Sequence, residues 1–272
     1  MTTMLKLTNV KKTFNPGSVN EKRALTGVNL ELEEGDFVTV IGGNGAGKST
    51  LLNMVSGVYP LDSGVIELGG VDVSRLSEPA RAKYLGRVFQ DPMMGTAADM
   101  QIDENLALAR RRGKHRGLAW GISAAEKKEY PELLATLGLG LETRMTAKVG
   151  LLSGGQRQAL TLLMATLTNP KLLLLDEHTA ALDPKTAAKV LELTDKIVSE
   201  RGLTTLMVTH NMNDAIRLGN RLIMMHNGNV IYDVRGEEKK RLTVSGLLQK
   251  FEEVSGGELA NDRMLLSKPH QT

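Results

Sequence analysis

Three short apolar runs, at residues 37–41, 171–175 and 204–208, dominate the hydrophobic pattern of the chain. Each is rich in Val, Ile, Leu or Met and too short for a buried helix, which is typical of a strand buried in a parallel sheet. A glycine-rich loop follows the first run, Asp176 and Glu177 follow the second, and His210 follows the third. Because parallel strands end at one edge of a sheet, we expect these groups to lie together.

Alternating patterns mark the antiparallel parts of the chain. Residues 4–41 and 65–75 alternate between apolar and polar positions, and Gly69-Gly70 is a hairpin signal, so an antiparallel β-subdomain is predicted. This layer would present Phe14 to a ligand. A second hairpin is predicted over residues 222–232, with its turn at Asn227-Gly228.

Helical spacing marks the middle of the chain, from residue 91 to about residue 150. Apolar positions recur there at intervals of three and four, which predicts one helix over residues 102–109 and another over residues 130–139. The predicted organisation is one α/β domain over residues 1–235, with this helical subdomain inserted. A short tail, residues 236–272, follows with one helix around residues 244–251.

The composition changes this picture little. With 272 residues, 41% of them hydrophobic, the chain can bury a large core, but no apolar run approaches the roughly 18 residues of a membrane span. The first ten residues lack a signal-peptide pattern, and zero cysteines exclude disulfides and thiolate metal sites. A net charge of +3 spread along the chain, with 3% aromatic residues, gives no indication of nucleic-acid binding. We therefore expect a soluble cytosolic protein.

The glycine-rich loop matches the phosphate-binding pattern GxxxxGK[ST]. It consists of Gly42, Gly43, Asn44, Gly45, Ala46, Gly47, Lys48 and Ser49, and Thr50 continues into a predicted helix. A strand before the loop and a helix after it would place phosphate at a helix N-terminus, where N–H groups and the helix dipole favour an anion. Lys48 would bind the outer phosphates and Ser49 would ligate Mg²⁺. The alternative is a glycine-rich turn with a solvated lysine. Such a turn does not require a strand before it and a helix after it, so these flanking elements favour the phosphate-binding loop.

The residues after the other two apolar runs supply catalytic chemistry. Asp176 would hold Mg²⁺ through water, and Glu177 would act as the general base on the attacking water. An acidic turn after an apolar strand is common in proteins. The catalytic interpretation of these two carboxylates therefore depends on their position downstream of Lys48. A histidine after a strand is usually structural, and the alternative for His210 is a γ-phosphate contact.

A second phosphate-binding helix terminus is predicted further along, at Leu152-Ser153-Gly154-Gly155-Gln156, with the helix beginning near Gln156. With these motifs in this order, the chain resembles the ATP-binding cassette ATPases, the nucleotide-binding subunits of ABC transporters, over about residues 4–235. The resemblance implies a P-loop NTPase core, with a mostly parallel sheet and flanking helices, and ATP and Mg²⁺ as its ligands.

The resemblance also assigns roles to individual residues. For nucleotide binding, it implies adenine stacking by Phe14, a Walker A loop at residues 42–49 and a signature motif at Ser153, Gly154, Gly155 and Gln156. For catalysis and the metal, it implies a Q-loop glutamine at Gln90, a Walker B carboxylate at Asp176 and a catalytic carboxylate at Glu177. It also implies a D-loop aspartate at Asp183 and a switch histidine at His210. Three positions depart from the usual pattern. His178 stands where the family mostly has proline, Ala180 where it mostly has serine, and Phe14 where many members have tyrosine.

The signature motif of this family closes over ATP held by the opposite subunit. One Walker A loop and one signature therefore imply a homodimer or a pair with a related ATPase. Ser255-Gly256-Gly257 resembles a second signature, but no Walker B strand follows it, so a turn is the better interpretation.

The resemblance implies that ATP energises transport through a separate polytopic permease at the cytoplasmic face of the membrane. The partners would include an extracytoplasmic substrate-binding protein, with import of a small solute such as an amino acid. The alternatives are an exporter ATPase and a ribosome- or DNA-associated ATPase. The segment between Gln90 and Ser153 is too short for the long coiled coil of the chromosome-associated members, and one cassette argues against the ribosomal ones.

A basic segment, residues 110–116, precedes the single tryptophan, Trp120. One interpretation is a solvated helix end, which the helix dipole favours. The other is contact of Arg110, Arg111 and Arg112 with anionic lipid, with Trp120 at the interface.

Overall fold

The computed structural model describes residues 2–114 and 121–255. The strands are β1 (Thr3–Phe14), β2 (Lys22–Glu33), β3 (Phe37–Ile41), β4 (Ser63–Leu68), β5 (Val71–Asp72), β6 (Leu85–Val88), β7 (Leu172–Asp176), β8 (Thr205–Val208), β9 (Arg221–His226) and β10 (Asn229–Arg235). The helices are α1 (Lys48–Ser56), α2 (Glu78–Arg81), α3 (Ile102–Arg110), α4 (Ala124–Ala135), α5 (Gly154–Thr166), α6 (Pro184–Arg201), α7 (Met212–Arg217), α8 (Gly236–Lys240) and α9 (Val244–Ser255).

The chain divides into two compact units. The first contains the residues up to Glu78 and those from Thr204 onward, and the second contains Pro79–Leu203. In the first unit β1 pairs antiparallel with both β2 and β4, and β4 pairs with β5 across the turn at Gly69-Gly70. The predicted antiparallel layer is therefore present.

The first unit also holds a mixed group of strands. β3 pairs parallel with both β8 and β9, and β9 pairs antiparallel with β10. β3 is therefore the buried parallel strand that the run at residues 37–41 predicts, and the range 4–41 given to the antiparallel layer is wrong for this strand. All five residues of β3 are buried, so its sequence lacks the polar alternation of a one-sided strand.

The end of the first unit closes with the predicted hairpin and the tail. Asn227 and Gly228 have φ values of +47° and +76°, the left-handed pair that a two-residue hairpin turn needs. The described part of the tail holds two helices, α8 and α9, where the sequence predicted one. Leu247 and Phe251 of α9 are buried against β9, β10 and α7, so the tail contributes to the core.

The second unit contains a parallel pair, β6 and β7, and a helical cluster. The core of this cluster is formed by buried side chains of α3, α4 and α5. The prediction of a helix over residues 130–139 is displaced, because α4 begins at a capping box. Ser123 accepts a hydrogen bond from the Glu126 N–H, and the Glu126 side chain accepts one from the Ser123 N–H.

His178, one of the departures from the family pattern, is fully packed inside the second unit. It is 2% exposed, and its Nε2 lies 3.0 Å from Oγ1 of Thr194 in α6. The Thr194 hydroxyl donates to the carbonyl of Val190 at 2.8 Å, so its oxygen accepts from the Nε2–H of the neutral imidazole. Burial lowers the pKa of His178 to about 4 from an ordinary 6.5.

The pKa of His178 predicts a pH-dependent loss of stability. The unfolded chain binds a proton to this histidine below about pH 6.5 and the folded chain only near pH 4, so the free energy of unfolding falls as the pH drops through that window. The loss should reach about 3 kcal/mol at pH 4. Urea unfolding at pH 7 and pH 5 should show a steeper decline for the wild type than for His178→Gln, which keeps a donor for Thr194 but does not titrate. Equal declines would contradict this assignment.

Candidate active site

The glycine-rich loop of the first unit has a backbone that only glycine fits at two points. Gly42 has φ +151°, and a Cβ there would lie 2.2 Å from the carbonyl oxygen of Met225. Gly47 has φ +102°, and a Cβ there would lie 2.7 Å from the carbonyl oxygen of Ala24. The loop is therefore pressed against β9 and β2, which fixes the direction in which it turns.

Lys48 and the start of α1 give this loop groups that favour an anion. The Lys48 ammonium, largely buried, donates to the carbonyls of Gly42 at 2.7 Å and Gly43 at 3.0 Å. α1 begins at Lys48, and its first turn contains no acidic residue. The N-terminal N–H groups, the helix dipole and the ammonium therefore all favour a phosphate. Ser49, the predicted metal ligand, is exposed at the same turn.

His210 lies at the edge of the sheet where the glycine-rich loop begins. The N–H of Thr209 donates to the carbonyl of Val40 at 3.1 Å, so β3 and β8 end side by side. His210 follows and is exposed, and Asn211 then caps α7 by accepting from two N–H groups of its first turn. The first unit therefore brings His210 and the phosphate-binding loop to one edge, as their positions after parallel strands predict.

Phe14, the residue expected to stack on adenine, ends β1 and is half-buried. Its ring meets that of Tyr59 edge to face, with centroids 5.2 Å apart. The ammonium of Lys12 lies 5.7 Å from the Phe14 centroid and 2.8 Å from a carboxylate oxygen of Asp62. Lys12, Tyr59 and Asp62 form a support for this ring that no sequence motif indicated.

In the second unit, the ends of β6 and β7 bring Gln90, Asp176 and Glu177 to one edge. The parallel register pairs Val88 with Leu175, so the segment that carries Gln90 leaves the sheet beside the two carboxylates. Gln90 is exposed, and Asp176 and Glu177 are half-buried. Glu177 has φ +43°, a left-handed conformation that is uncommon for a residue other than glycine and occurs often at functional sites.

Asp176 has a partner that the sequence did not reveal. Nη2 of Arg87, on β6, lies 3.5 Å from Oδ2 of Asp176. The two side chains are 12% and 14% exposed, so this ion pair is shielded from water more than a surface pair. Arg87 could not be identified from sequence because no motif includes it, and only strand pairing brings it to the carboxylate.

The signature motif forms the start of α5, two residues earlier than predicted. Ser153 is the N-cap, and it forms a capping box with Gln156, whose side-chain oxygen accepts from the Ser153 N–H at 3.2 Å. The first turn of α5 contains no acidic residue, so it is a second electropositive helix end. Gly154 is exposed, whereas Gly155 packs so closely on α6 that a Cβ would lie 2.1 Å from Cγ2 of Thr186.

Asp183, the predicted D-loop residue, is exposed at the N-terminus of α6. Its Oδ1 accepts from the Thr186 N–H at 3.1 Å, and Pro184 occupies the first helical position, as in many helix starts. The hydrogen bonds from Thr186 hold the pKa of Asp183 below its usual value. The structure therefore gives this carboxylate a capping role, and nucleotide contact by Asp183 stays a prediction.

The three arginines of the basic segment form ion pairs and hydrogen bonds within the helical cluster. Arg110 pairs with Glu129 at 2.7 Å, Arg111 pairs with Glu126 at 3.0 Å, and Arg112 donates to a backbone carbonyl of α5 at 2.9 Å. Burial lowers the pKa of Arg112. These contacts favour the interpretation in which the segment belongs to the helix end, and contact with lipid stays a prediction.

Two sequence features lie outside the described residues. They are Trp120, with the rest of residues 115–120, and the signature-like Gly256-Gly257. Among the helices that the structure does describe, none has the length and apolar character to cross a membrane.

The predicted metal ligands suit Mg²⁺ by their chemistry. They are the hydroxyl of Ser49, the amide oxygen of Gln90 and the carboxylate of Asp176, all of which are hard oxygen donors. Residues 2–114 and 121–255 contain no group of three or more His, Cys, Asp or Glu side chains that could hold a metal by themselves. A donor set with one carboxylate fits a cation that binds mainly to nucleotide phosphates.

Comparison with known proteins assigns the family. Residues 25–180 match the family model described as ABC transporter. The chain is 47% identical to the tyrosine transport ATP-binding protein of Clostridioides difficile (strain R20291), over 92% of this chain and 99% of that protein. It is 33% identical to the macrolide export ATP-binding/permease protein MacB of Campylobacter fetus subsp. fetus (strain 82-40), over 92% of this chain and 37% of that protein.

A solved structure gives the same assignment. The dimeric ATP-binding cassette MJ0796, bound to ADP and Pi in a post-hydrolysis state, is 33% identical, with a TM-score of 0.72 over 85% of this chain and 98% of that one. The chain belongs to the ABC transporter family, and it is an ATPase with the α/β P-loop NTPase fold that its motifs predict.

Proposed function

We propose that this chain is the ATPase subunit of a transporter that imports an amino acid, with tyrosine as the first substrate to test. The main support is the match to the tyrosine transport ATP-binding protein, which extends over 99% of that relative. The chain would act at the cytoplasmic face of the membrane, bound to a polytopic permease, and an extracytoplasmic substrate-binding protein would deliver the solute.

Export is the second candidate, because an export protein is also among the relatives. That relative combines ATP-binding and permease parts by name, and the chain matches 37% of it. The tyrosine relative is matched nearly from end to end, which favours the system with a separate ATPase chain. A role on DNA or the ribosome has no comparable support, so nucleic acid is not among the proposed partners.

The nucleotide chemistry follows from the two helix ends and the strand edges. ATP phosphates would replace the carbonyls of Gly42 and Gly43 as partners of the Lys48 ammonium and would accept from the N–H groups of α1. Phe14, held edge to face against Tyr59, would stack on adenine.

Hydrolysis would use the polar side chains that follow the buried strands. Glu177 would accept the proton of the attacking water, and Gln90 and His210 would contact the water and the γ-phosphate. Ser49, Asp176 and Gln90 would hold Mg²⁺, which supplies charge neutralisation on the phosphates.

Two copies, or one copy and a related ATPase, would complete each site. The electropositive start of α5, with Ser153 as N-cap, offers N–H groups to the γ-phosphate of ATP bound at the Lys48 loop of the partner subunit. The dimeric state of the similar cassette MJ0796 supports this arrangement. ATP would therefore hold the two subunits together, and hydrolysis would release them.

Lys48→Ala should remove ATP turnover and transport together. The outer phosphates lose their ammonium, so turnover should fall by about two orders of magnitude or more. Uptake of labelled tyrosine by cells that depend on this chain should fall to background. Lys196→Ala, an exposed lysine on α6, is the matched control and should leave both unchanged. Retained turnover would contradict the loop assignment, and lost turnover with normal uptake would contradict the transport role.

Glu177→Gln should bind ATP without hydrolysing it, because an amide keeps the shape of the carboxylate but cannot accept the proton. With ATP this variant should elute as a dimer of about twice the 29.5 kDa chain, and without nucleotide as a monomer.

Adding Ser153→Arg to Glu177→Gln should abolish that dimer but keep ATP binding. The arginine removes the N-cap of α5 and places a bulky side chain where the partner's phosphate would approach. A Ser199→Arg change, near the far end of α6, controls for added charge and bulk. If the Ser153→Arg protein still forms the ATP-dependent dimer, the signature does not complete the site.

A further inference from the structure

Arg87 is held on two sides at the end of β6. Its Nη2 lies 3.5 Å from Oδ2 of Asp176, and its guanidinium carbon lies 4.6 Å from the centroid of the Phe89 ring. The β6–β7 register pairs Arg87 with Leu174, two residues before Asp176, so Arg87 and Asp176 share one face of the sheet. The contact therefore follows from the strand pairing as well as from the side-chain conformation.

Phe89, whose ring contacts the guanidinium, is itself held by a hydrogen bond. The carbonyl of Phe89 accepts a hydrogen bond from Nε2 of Gln158 at 2.9 Å, and Gln158 is fully buried in α5. Cation–π contact with the Phe89 ring and the ion pair with Asp176 together fix the plane of the guanidinium. Arg87 is therefore held in a position that faces the carboxylate.

We propose that Arg87 is a positioning residue that holds Oδ2 of Asp176 and weakens binding of the divalent cation at this carboxylate. This inference rests on the proposed function, which takes Asp176 as the metal-side carboxylate. The guanidinium repels a second cation, and this repulsion is strong because both side chains are mostly shielded from water.

The consequence is a metal site that depends on the nucleotide. With its charge already matched by Arg87, Asp176 alone attracts a cation weakly. ATP phosphates bring the additional negative charge that the cation needs. Mg²⁺ would then bind together with ATP rather than before it, and the segment from Arg87 to Gln90 would carry both the regulator of the metal and the Q-loop glutamine.

The test measures Mn²⁺ binding by the electron paramagnetic resonance signal of the free ion, with and without a non-hydrolysable ATP analogue. Arg87→Met keeps the length of the side chain but removes its charge, so Mn²⁺ should bind about fivefold more tightly. Arg87→Lys keeps the charge and should stay within about twofold of the wild type, although the flat contact with Phe89 is lost. Lys171→Met, which removes a charge just before β7 at its opposite end, should change nothing.

Asp176→Asn separates the failure of this inference from that of the proposed function. If Asp176→Asn weakens Mn²⁺ binding and Arg87→Met tightens it only when Asp176 is intact, the inference holds. If Asp176→Asn weakens binding but Arg87→Met leaves it unchanged or weaker, Arg87 does not regulate the cation and the proposed function stands. If Asp176→Asn changes nothing, Asp176 is not the metal-side carboxylate, and the inference fails together with the metal site of the proposed function. An Arg87→Lys protein that behaves like Arg87→Met would also overturn the inference, because charge would not be the cause.

Discussion

The electropositive N-termini of α1 and α5 are the constraint on which the rest of the chemistry depends. Each of these helices begins at a glycine-containing turn, and neither has an acidic residue in its first turn. A helix end of this kind is electropositive and has hydrogen-bond donors that an anion satisfies. The first unit carries one such end and the second unit carries the other, so the chain has two electropositive helix ends of different construction.

Each unit is built to hold its own helix end in place. In the first unit, Gly42 and Gly47 let the loop lie against the backbone of Met225 and Ala24, which a larger residue would prevent. In the second unit, the close packing of Gly155 on Thr186 fixes α5 against α6. The second unit also contains a buried hydrogen bond between His178 and Thr194. His178 directly follows Glu177, whose backbone is in the left-handed region.

Much of this arrangement could be predicted from the sequence, because it depends on local patterns. The apolar runs, the glycines of the loop and the Asn227-Gly228 hairpin each have a short-range signature, and the structure confirms the elements that they predict. The order of the family motifs along the chain indicates which of these elements carry the predicted phosphate-binding and catalytic residues.

The remaining features depend on contacts between residues far apart in sequence. Arg87 meets Asp176 only through the register of β6 and β7, and the ion pairs of Arg110 and Arg111 appear only once α3 and α4 pack. Helix starts were also misplaced, by two residues at α5 and by six at α4, because apolar periodicity locates the buried face of a helix and not its cap.

The most direct test of the account is whether the two helix ends of different copies meet at one ATP. The sequence contains no cysteine, so Asn44→Cys and Leu151→Cys, both exposed in the structure, can be introduced separately into the Glu177→Gln chain. A mixture of the two proteins treated with a short bis-maleimide should give a cross-linked dimer that depends on ATP, and neither protein alone should give it. Cross-linking that is absent, or equal without ATP, would contradict a site shared between the α1 end of one copy and the α5 end of the other.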